Sequence, residues 1–436
     1  MRPITTTGKA TEKGCHQGTR RRVAAGAVAL LSAAGLTWAQ GDPRFEEHLI
    51  TSVPRGVDVD HGIAFTPDGR HVAYVGSKDG KSVPVIDATV FDPQWYVHSP
   101  RISADGRVAF VMVKPPAKRV QESWLLLDGK PVPDTDGIDS PKWSPDGRRL
   151  AYVADPECRI AEDRSRPGPF VLVVDGKKGS KWHGVDQLAW SRDSQHVVAV
   201  AEREKGGYCV LLDGKPFAEG ARYDGPVFSP DGTRIAYACE LVRNKTLAAD
   251  FTRIKWFVAC GKLRLGLDFD NAGSPVFSPD GKRIAFKAER AGRVGIAVDG
   301  SEPVGAWAFV STPVFSDDGA HMAFAASADC TVAAGYLVTT IPGAGLVTGG
   351  SWQAVLDGRP SEEKFAEVRD LTFSPDGQRF AFRARTGPKW RVVCGAKKSE
   401  EFDFAGPPQF SPDGSRLAFG VQQGREFAWK VLAVEK

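Results

Sequence analysis

Nine copies of one short turn constrain this chain more than anything else in it. They are Phe65–Gly69 (FTPDG), Ile102–Gly106 (ISADG), Trp143–Gly147 (WSPDG), Trp190–Ser194 (WSRDS), Phe228–Gly232 and Phe277–Gly281 (both FSPDG), Phe315–Gly319 (FSDDG), and Phe373–Gly377 and Phe410–Gly414 (both FSPDG). Their aspartates stand 37 to 58 residues apart. Six copies carry the Pro and eight carry the Gly, and one chemistry explains the motif. Pro presets φ at the second turn position, Asp accepts the third, and Gly takes the left-handed conformation that a type I turn with a bulge requires. An alternating apolar strand follows, such as Arg234–Tyr237 or Arg283–Phe286. The turn therefore folds one strand back onto the next, and a period of this length marks a repeat architecture rather than separate hairpins.

Third strands end in a second turn, D-G-K, at 128–130, 175–177 and 213–215, with a related D-G at 357–358. A shorter fourth strand leads to the next unit. Four antiparallel strands in about 40 residues describe a blade of a β-propeller. The last unit ends at Phe427–Ala433 without a fourth strand, and Glu46–Ser52 precedes the first unit. That segment is expected to complete the last blade and so remove an open edge. The fold class expected is all-β, a propeller of eight or nine four-stranded blades over residues 40–436. The fourth copy, with Arg192 and Ser194 in place of Pro and Gly, carries the weakest turn and is the unit that could fail to form a full blade.

The F-S-P-D-G-x-R-I-A-F unit resembles the WD40-like (PD40) repeat of TolB-type propellers and of the propeller halves of some peptidases. The resemblance covers about residues 50–436 and implies fold far more than function. TolB-type proteins carry an α/β domain ahead of the propeller, for which this chain leaves no room. The peptidases carry a hydrolase domain with G-x-S-x-G, a motif this sequence lacks.

Arg20, Arg21 and Arg22 precede the apolar stretch Val23–Leu36, and Thr37 and Ala39 put small residues at the −3 and −1 positions of a cleavage site. This order reads as a secretory signal peptide over 1–39. The apolar run falls short of the ~20 residues that span a bilayer. The protein is therefore expected to be exported, to the periplasm or the extracellular space, with no membrane span after cleavage, and to be a monomer. Without 1–39 the 57 basic and 53 acidic residues fall to 51 and 52, a near-neutral balance that excludes the basic footprint of a nucleic-acid partner. Six cysteines remain, a number compatible with disulfides in an exported chain. Cys239 and Cys260, on consecutive strands of one repeat, are the candidate pair.

Two regions are candidates for function. Long segments at Lys114–Ser123, Asp155–Pro169, Glu240–Ile254 and Ala326–Gly350 all fall between second and third strands. They share a face with the blade-to-blade connections, and irregular loops on a rigid scaffold are where binding concentrates. Second, the residue four places before each motif aromatic enters the channel mouth. These residues are His61, His98, Asp139, Asp186, Asp224, Gly273, Ser311, Arg369 and Gly406. His61, His98, Asp139, Asp186 and Asp224 offer imidazoles and carboxylates for a divalent metal or acid–base chemistry, with Arg369 a further ligand contact. The same residues can instead serve as strand-end caps. No cofactor is expected beyond such a metal, and no H-E-x-x-H or P-loop occurs.

Three readings of function stay open. The first is a binding scaffold for a protein, peptide or glycan on the loop-bearing face, rather than an enzyme. The second is a metal-assisted hydrolase or lyase using the His/Asp arc. The third is an accessory propeller of a TolB-like cell-envelope complex.

Overall fold

A computed structural model describes residues 43–114, 123–132, 137–155, 169–241, 255–332 and 347–434. The stretch read as a signal peptide and most of each long connection lie outside the described residues. Among the described residues, nine antiparallel sheets of four or five strands follow one another along the chain, and a small two-stranded ladder pairs Thr331–Val332 with Val347–Thr348. Blades 1 to 9 occupy 58–90, 96–131, 138–182, 184–220, 223–269, 271–307, 309–360, 367–398 and 404–433. The chain is a nine-bladed β-propeller, at the upper of the two expected counts.

Closure runs as the sequence suggests. His48–Ser52 pairs antiparallel with Glu426–Ala433 and becomes the outermost strand of blade 9. Arg425 holds the entry, its guanidinium donating to the carbonyls of Val53, Pro54 and Val57. The closing strand's Phe427 is fully buried and its ring lies 4.9 Å from that of Tyr74 in blade 1.

The core is a ring of layers between blades, and I-A-F is the pattern that fills them. On every second strand but that of blade 4, where Val198 and Ala199 take the two places, the aromatic faces the preceding blade and the alanine faces the following one. Ala73 thus meets Phe110, Ala109 meets Tyr152, Ala236 meets Phe286, Ala285 meets Phe324 and Ala381 meets Phe419. Small against large at each interface lets neighbouring sheets interdigitate at core density.

The S-P-D-G turn owes more to its serine than its φ preferences indicate. The Ser or Thr of every copy is nearly or wholly buried. Ser144 donates its hydroxyl to Asp146 Oδ1 at 2.6 Å, and accepts the Arg149 N–H at 2.9 Å. Ser278 and Ser411 do the same with Asp280 and Asp413, both at 2.6 Å. The fourth unit nonetheless forms a complete blade of four strands. Ser194 takes the left-handed φ of 63° that Gly takes elsewhere, and its hydroxyl accepts the Asp146 N–H from the neighbouring turn at 3.1 Å. A second interaction links the turns around the ring. Arg107 and Arg149 lie over Trp143 and Trp190 of the next blade at 4.7 and 4.8 Å.

The turns that end third strands, D-G in five blades and Asp87-Ala88 in blade 1, also cap strands. Asp87, Asp128, Asp175, Asp213, Asp299 and Asp357 all take φ between 48 and 53°. In each, Oδ1 accepts the N–H that opens the second strand, as from Val72 at 3.0 Å and Val197 at 2.9 Å. In five of the six, Oδ2 takes the side chain one residue earlier, as Arg149 with Asp175 at 2.8 Å or His196 with Asp213 at 2.7 Å.

The expected Cys239–Cys260 bridge is corrected by register. Cys260 pairs with Ala236, and Cys239 with Phe257, an offset of three residues. An odd offset turns the two side chains to opposite faces. Cys239 packs toward blade 4 and Cys260 toward blade 6, and both are free thiols.

Candidate functional site

The innermost strands break their regularity at the candidate positions. In blades 1, 3, 4, 5, 6 and 8 the register shifts at or just after the candidate position. The next residue has positive φ at Gly62, Gln187, Gly225, Ser274 and Asp370. In blades 2, 7 and 9 the inner strand is instead split in two. A bulge exposes a side chain and re-aims its neighbours, as active sites and barrel rims often do.

The candidate residues divide into three bonded sets. In blades 1 and 2, His61 Nδ1 lies 3.0 Å from Asp60 Oδ2 and its Nε2 lies 3.2 Å from the Val97 carbonyl. Tyr96 stacks on His61 at 5.9 Å and meets His98 edge-on at 5.1 Å. Beside them Trp95 and Tyr96 are 54% and 42% exposed, large aromatics offered to solvent.

In blades 4 to 6, buried Asp224 accepts Gln187 Nε2 at 2.9 Å and the Ser274 N–H at 3.0 Å. Burial raises its pKa, while the Ser274 N–H and the nearby Lys287 charge lower it. Asp186, by contrast, is exposed and accepts the Gln187 N–H at 2.7 Å. Lys287 is only 2% exposed and its ammonium sits 5.2 Å from the Phe309 ring centroid. Burial pulls its pKa down to about 8, against the opposing pull of Asp224.

In blade 8, Arg369 and Arg385 both pair with Glu367. Buried Arg383 pairs with Asp370 and donates to the Ala405 carbonyl of blade 9 at 2.6 Å. Of Asp139 only the backbone is described, paired with Val153. Among the described residues, no three His, Cys, Asp or Glu side chains gather where they could hold a metal ion. The arc is thus spread over sets with different partners. Its inner carboxylate, Asp224, ties blades 5 and 6 together.

The sequence reading passed over Gln187, Ser274, Lys287 and Arg383. A signal for the cations was there. Aligning second strands puts Val, Ala or Gly opposite the channel-mouth residue in most blades, but Lys287 opposite Gly273 and Arg383 opposite Arg369.

The ends of the long connections leave the second and third strands of blades 2, 3, 5 and 7. The blade-to-blade segment bearing Trp95 belongs to the same face, because Gln94 bridges Ser82 at the start of a third strand.

No protein-family profile and no curated protein sequence matches this chain. Solved structures do resemble it. The β-propeller domain of the Trilobed protease from Pyrococcus furiosus aligns over 70% of this chain and 97% of its own, at 14% identity and a TM-score of 0.41. The acylaminoacyl peptidase of Pyrococcus horikoshii aligns over 78% of this chain and 58% of its own, at 15% identity and a TM-score of 0.41. A putative TolB from Agrobacterium tumefaciens aligns over 68% of this chain and 91% of its own, at 18% identity and a TM-score of 0.31. The likeness is one of propeller architecture. Blade number and closure rest on the chain's own sheet topology. No helix among the described residues is long and apolar enough to cross a membrane.

Proposed function

We propose that the protein is an exported binding scaffold that takes a protein, peptide or glycan on its insertion-bearing face. The observation that carries this reading is that the described ends of the long connections in blades 2, 3, 5 and 7 leave from the face that also offers Trp95 and Tyr96. Exposed Trp and Tyr supply large contact area at low entropic cost, and such residues dominate binding hot spots. The propeller supplies rigidity, with each blade buttressed on both sides.

The test pans the purified propeller against a random-peptide display library and a glycan array. Each segment 115–122, 156–168, 242–254 and 333–346 is then replaced by an Asp-Gly turn, and Trp95→Ala is made separately. Selected ligands should lose binding to at least one of these variants while the thermal midpoint holds. Ligands indifferent to all five changes, or no selected ligand at all, would overturn the reading. Export is tested by expressing the full chain: a mature N-terminus at Gln40 outside the cytoplasm is expected, and an intact cytoplasmic chain would refute it.

A further inference from the structure

The repeats supply an internal template for a second site, on the opposite face. Six third strands end in an aspartate that caps the first N–H of the same blade's second strand. Blade 8 keeps the backbone of that turn but not the acid. Ala381 pairs with Cys394, so Gly395 stands where blade 1 has Asp87, and its φ of 57° matches the turn aspartates. A Cβ on Gly395 would meet nothing within 4 Å.

That open position borders a cavity of about 490 Å³ lined by Arg379, Phe380, Gly395 and Lys397, with Leu356, Phe373 and Val434 as apolar wall. The volume lies within the range of small-ligand pockets. Arg379 holds the place that Arg149 holds in blade 3. Arg149 binds its turn acid while also donating to the carbonyls of Ser194 and Gln195. The pairing of Arg379 with Asp376 at 3.1 Å is therefore compatible with a further carboxylate.

We infer that blade 8 binds a monocarboxylate with an aromatic or branched aliphatic body, the carboxylate taking the position of the missing turn aspartate. One oxygen accepts the Phe380 N–H and the other meets the Arg379 guanidinium, a charge-assisted pairing. The body lies against Leu356, Phe373 and Val434. A free organic acid and the C-terminal residue of a peptide share this chemistry.

The experiment follows the Phe380 and Gly395 amide resonances of the labelled full propeller. The probes are 3-phenylpropanoate, its amide, and Gly-Gly-Phe with a free or amidated C-terminus. Saturable shifts with an acid but not with its amide are expected. Shifts with 3-phenylpropanoate alone identify a free acid, and shifts with the free tripeptide as well extend the site to peptide ends. Gly395→Asp, which restores the turn acid, should weaken binding at least about tenfold, a loss of about 1.4 kcal/mol. Gly261→Asp, at the equivalent turn of blade 5, should leave it unchanged. Arg379→Gln provides a second loss should Gly395→Asp fold poorly. No shift up to about 10 mM, a concentration that saturates even millimolar binders, would overturn the inference. So would equal shifts with acid and amide, or undiminished binding in both Gly395→Asp and Arg379→Gln.

Discussion

The indole N–H of Trp429 donates to the carbonyl of Arg44 at 2.6 Å, joining residues 385 positions apart. Trp429 is 1% exposed and packs with Phe45 and Ala418 behind the closing strand. A Cβ on Gly69 of blade 1 would lie 2.5 Å from its ring, so the seam is built to the width of this side chain. Trp429→Ala should cost about 3–5 kcal/mol, as for other buried large-to-small changes. Trp429→Phe keeps most of the volume and should cost about 1 kcal/mol for the lost hydrogen bond. Denaturant titration checks both, and equal midpoints for the two variants would contradict a seam held mainly by packing.

Blade 4 shows how a defective copy is repaired by its neighbour. Ser194 carries the left-handed backbone without glycine, and its hydroxyl and carbonyl receive Asp146 and Arg149 from blade 3. Ser194→Ala keeps the strained backbone and removes the hydroxyl, and should cost about 1 kcal/mol. Ser194→Gly trades that bond for relief of a left-handed cost of about 1–2 kcal/mol, and should stay close to the parent. A glycine variant as unstable as the alanine variant would show that the hydroxyl outweighs the backbone.

The S-P-D-G aspartates predict resistance to acid. Hydrogen bonds from Ser229 and from the backbone and hydroxyl of Thr233 hold Asp231 down to about 2. Asp146, Asp193, Asp280, Asp318 and Asp376 are lowered in the same way, chiefly by their own serines. A carboxylate with a depressed folded pKa contributes stability above its unfolded pKa, which is lost as pH falls through the folded value. For Asp231 that window runs from 3.8 down to about 2. Carboxyl NMR titration should find Asp231 ionised at pH 3. In Ser229→Ala it should titrate nearer the ordinary value, and the acid unfolding midpoint should move up.

Fold and closure were legible because nine turns carry their own backbone chemistry, and because a missing last strand had a matching first one. The Ser144–Asp146 bond was not legible: hydroxyl and carboxylate sit two residues apart in a loop, where sequence shows only polar residues. Ser194 looked like a defect because its compensation comes from Asp146, 48 residues away. The disulfide expectation failed at register, which separates faces at odd offsets and which adjacency of strands does not reveal. The candidate positions recur along the inner strands, yet bulges and blade-to-blade bonds decide where each side chain goes. Asp224 looked like a ligand and is instead buried and bonded to Gln187 and Ser274.

That burial gives the channel its own pH signature. Lys287, pulled down to about 8 by burial and opposed by Asp224, binds its proton less tightly folded than unfolded. The unfolded chain therefore holds more protons between about 8 and the ordinary 10.5, and this residue makes stability rise with pH across that window. Lys287→Met should abolish that slope. It also removes the cation whose charge favours the buried Asp224 carboxylate, so near neutral pH it should destabilise the chain. Adding Asp224→Asn removes the stranded charge while keeping an acceptor for Gln187, and should recover most of the loss. Stability curves from pH 7 to 11 for the parent, Lys287→Met and the double variant test this. An unchanged slope in Lys287→Met, or a double variant no better than the single, would show that the two groups act independently.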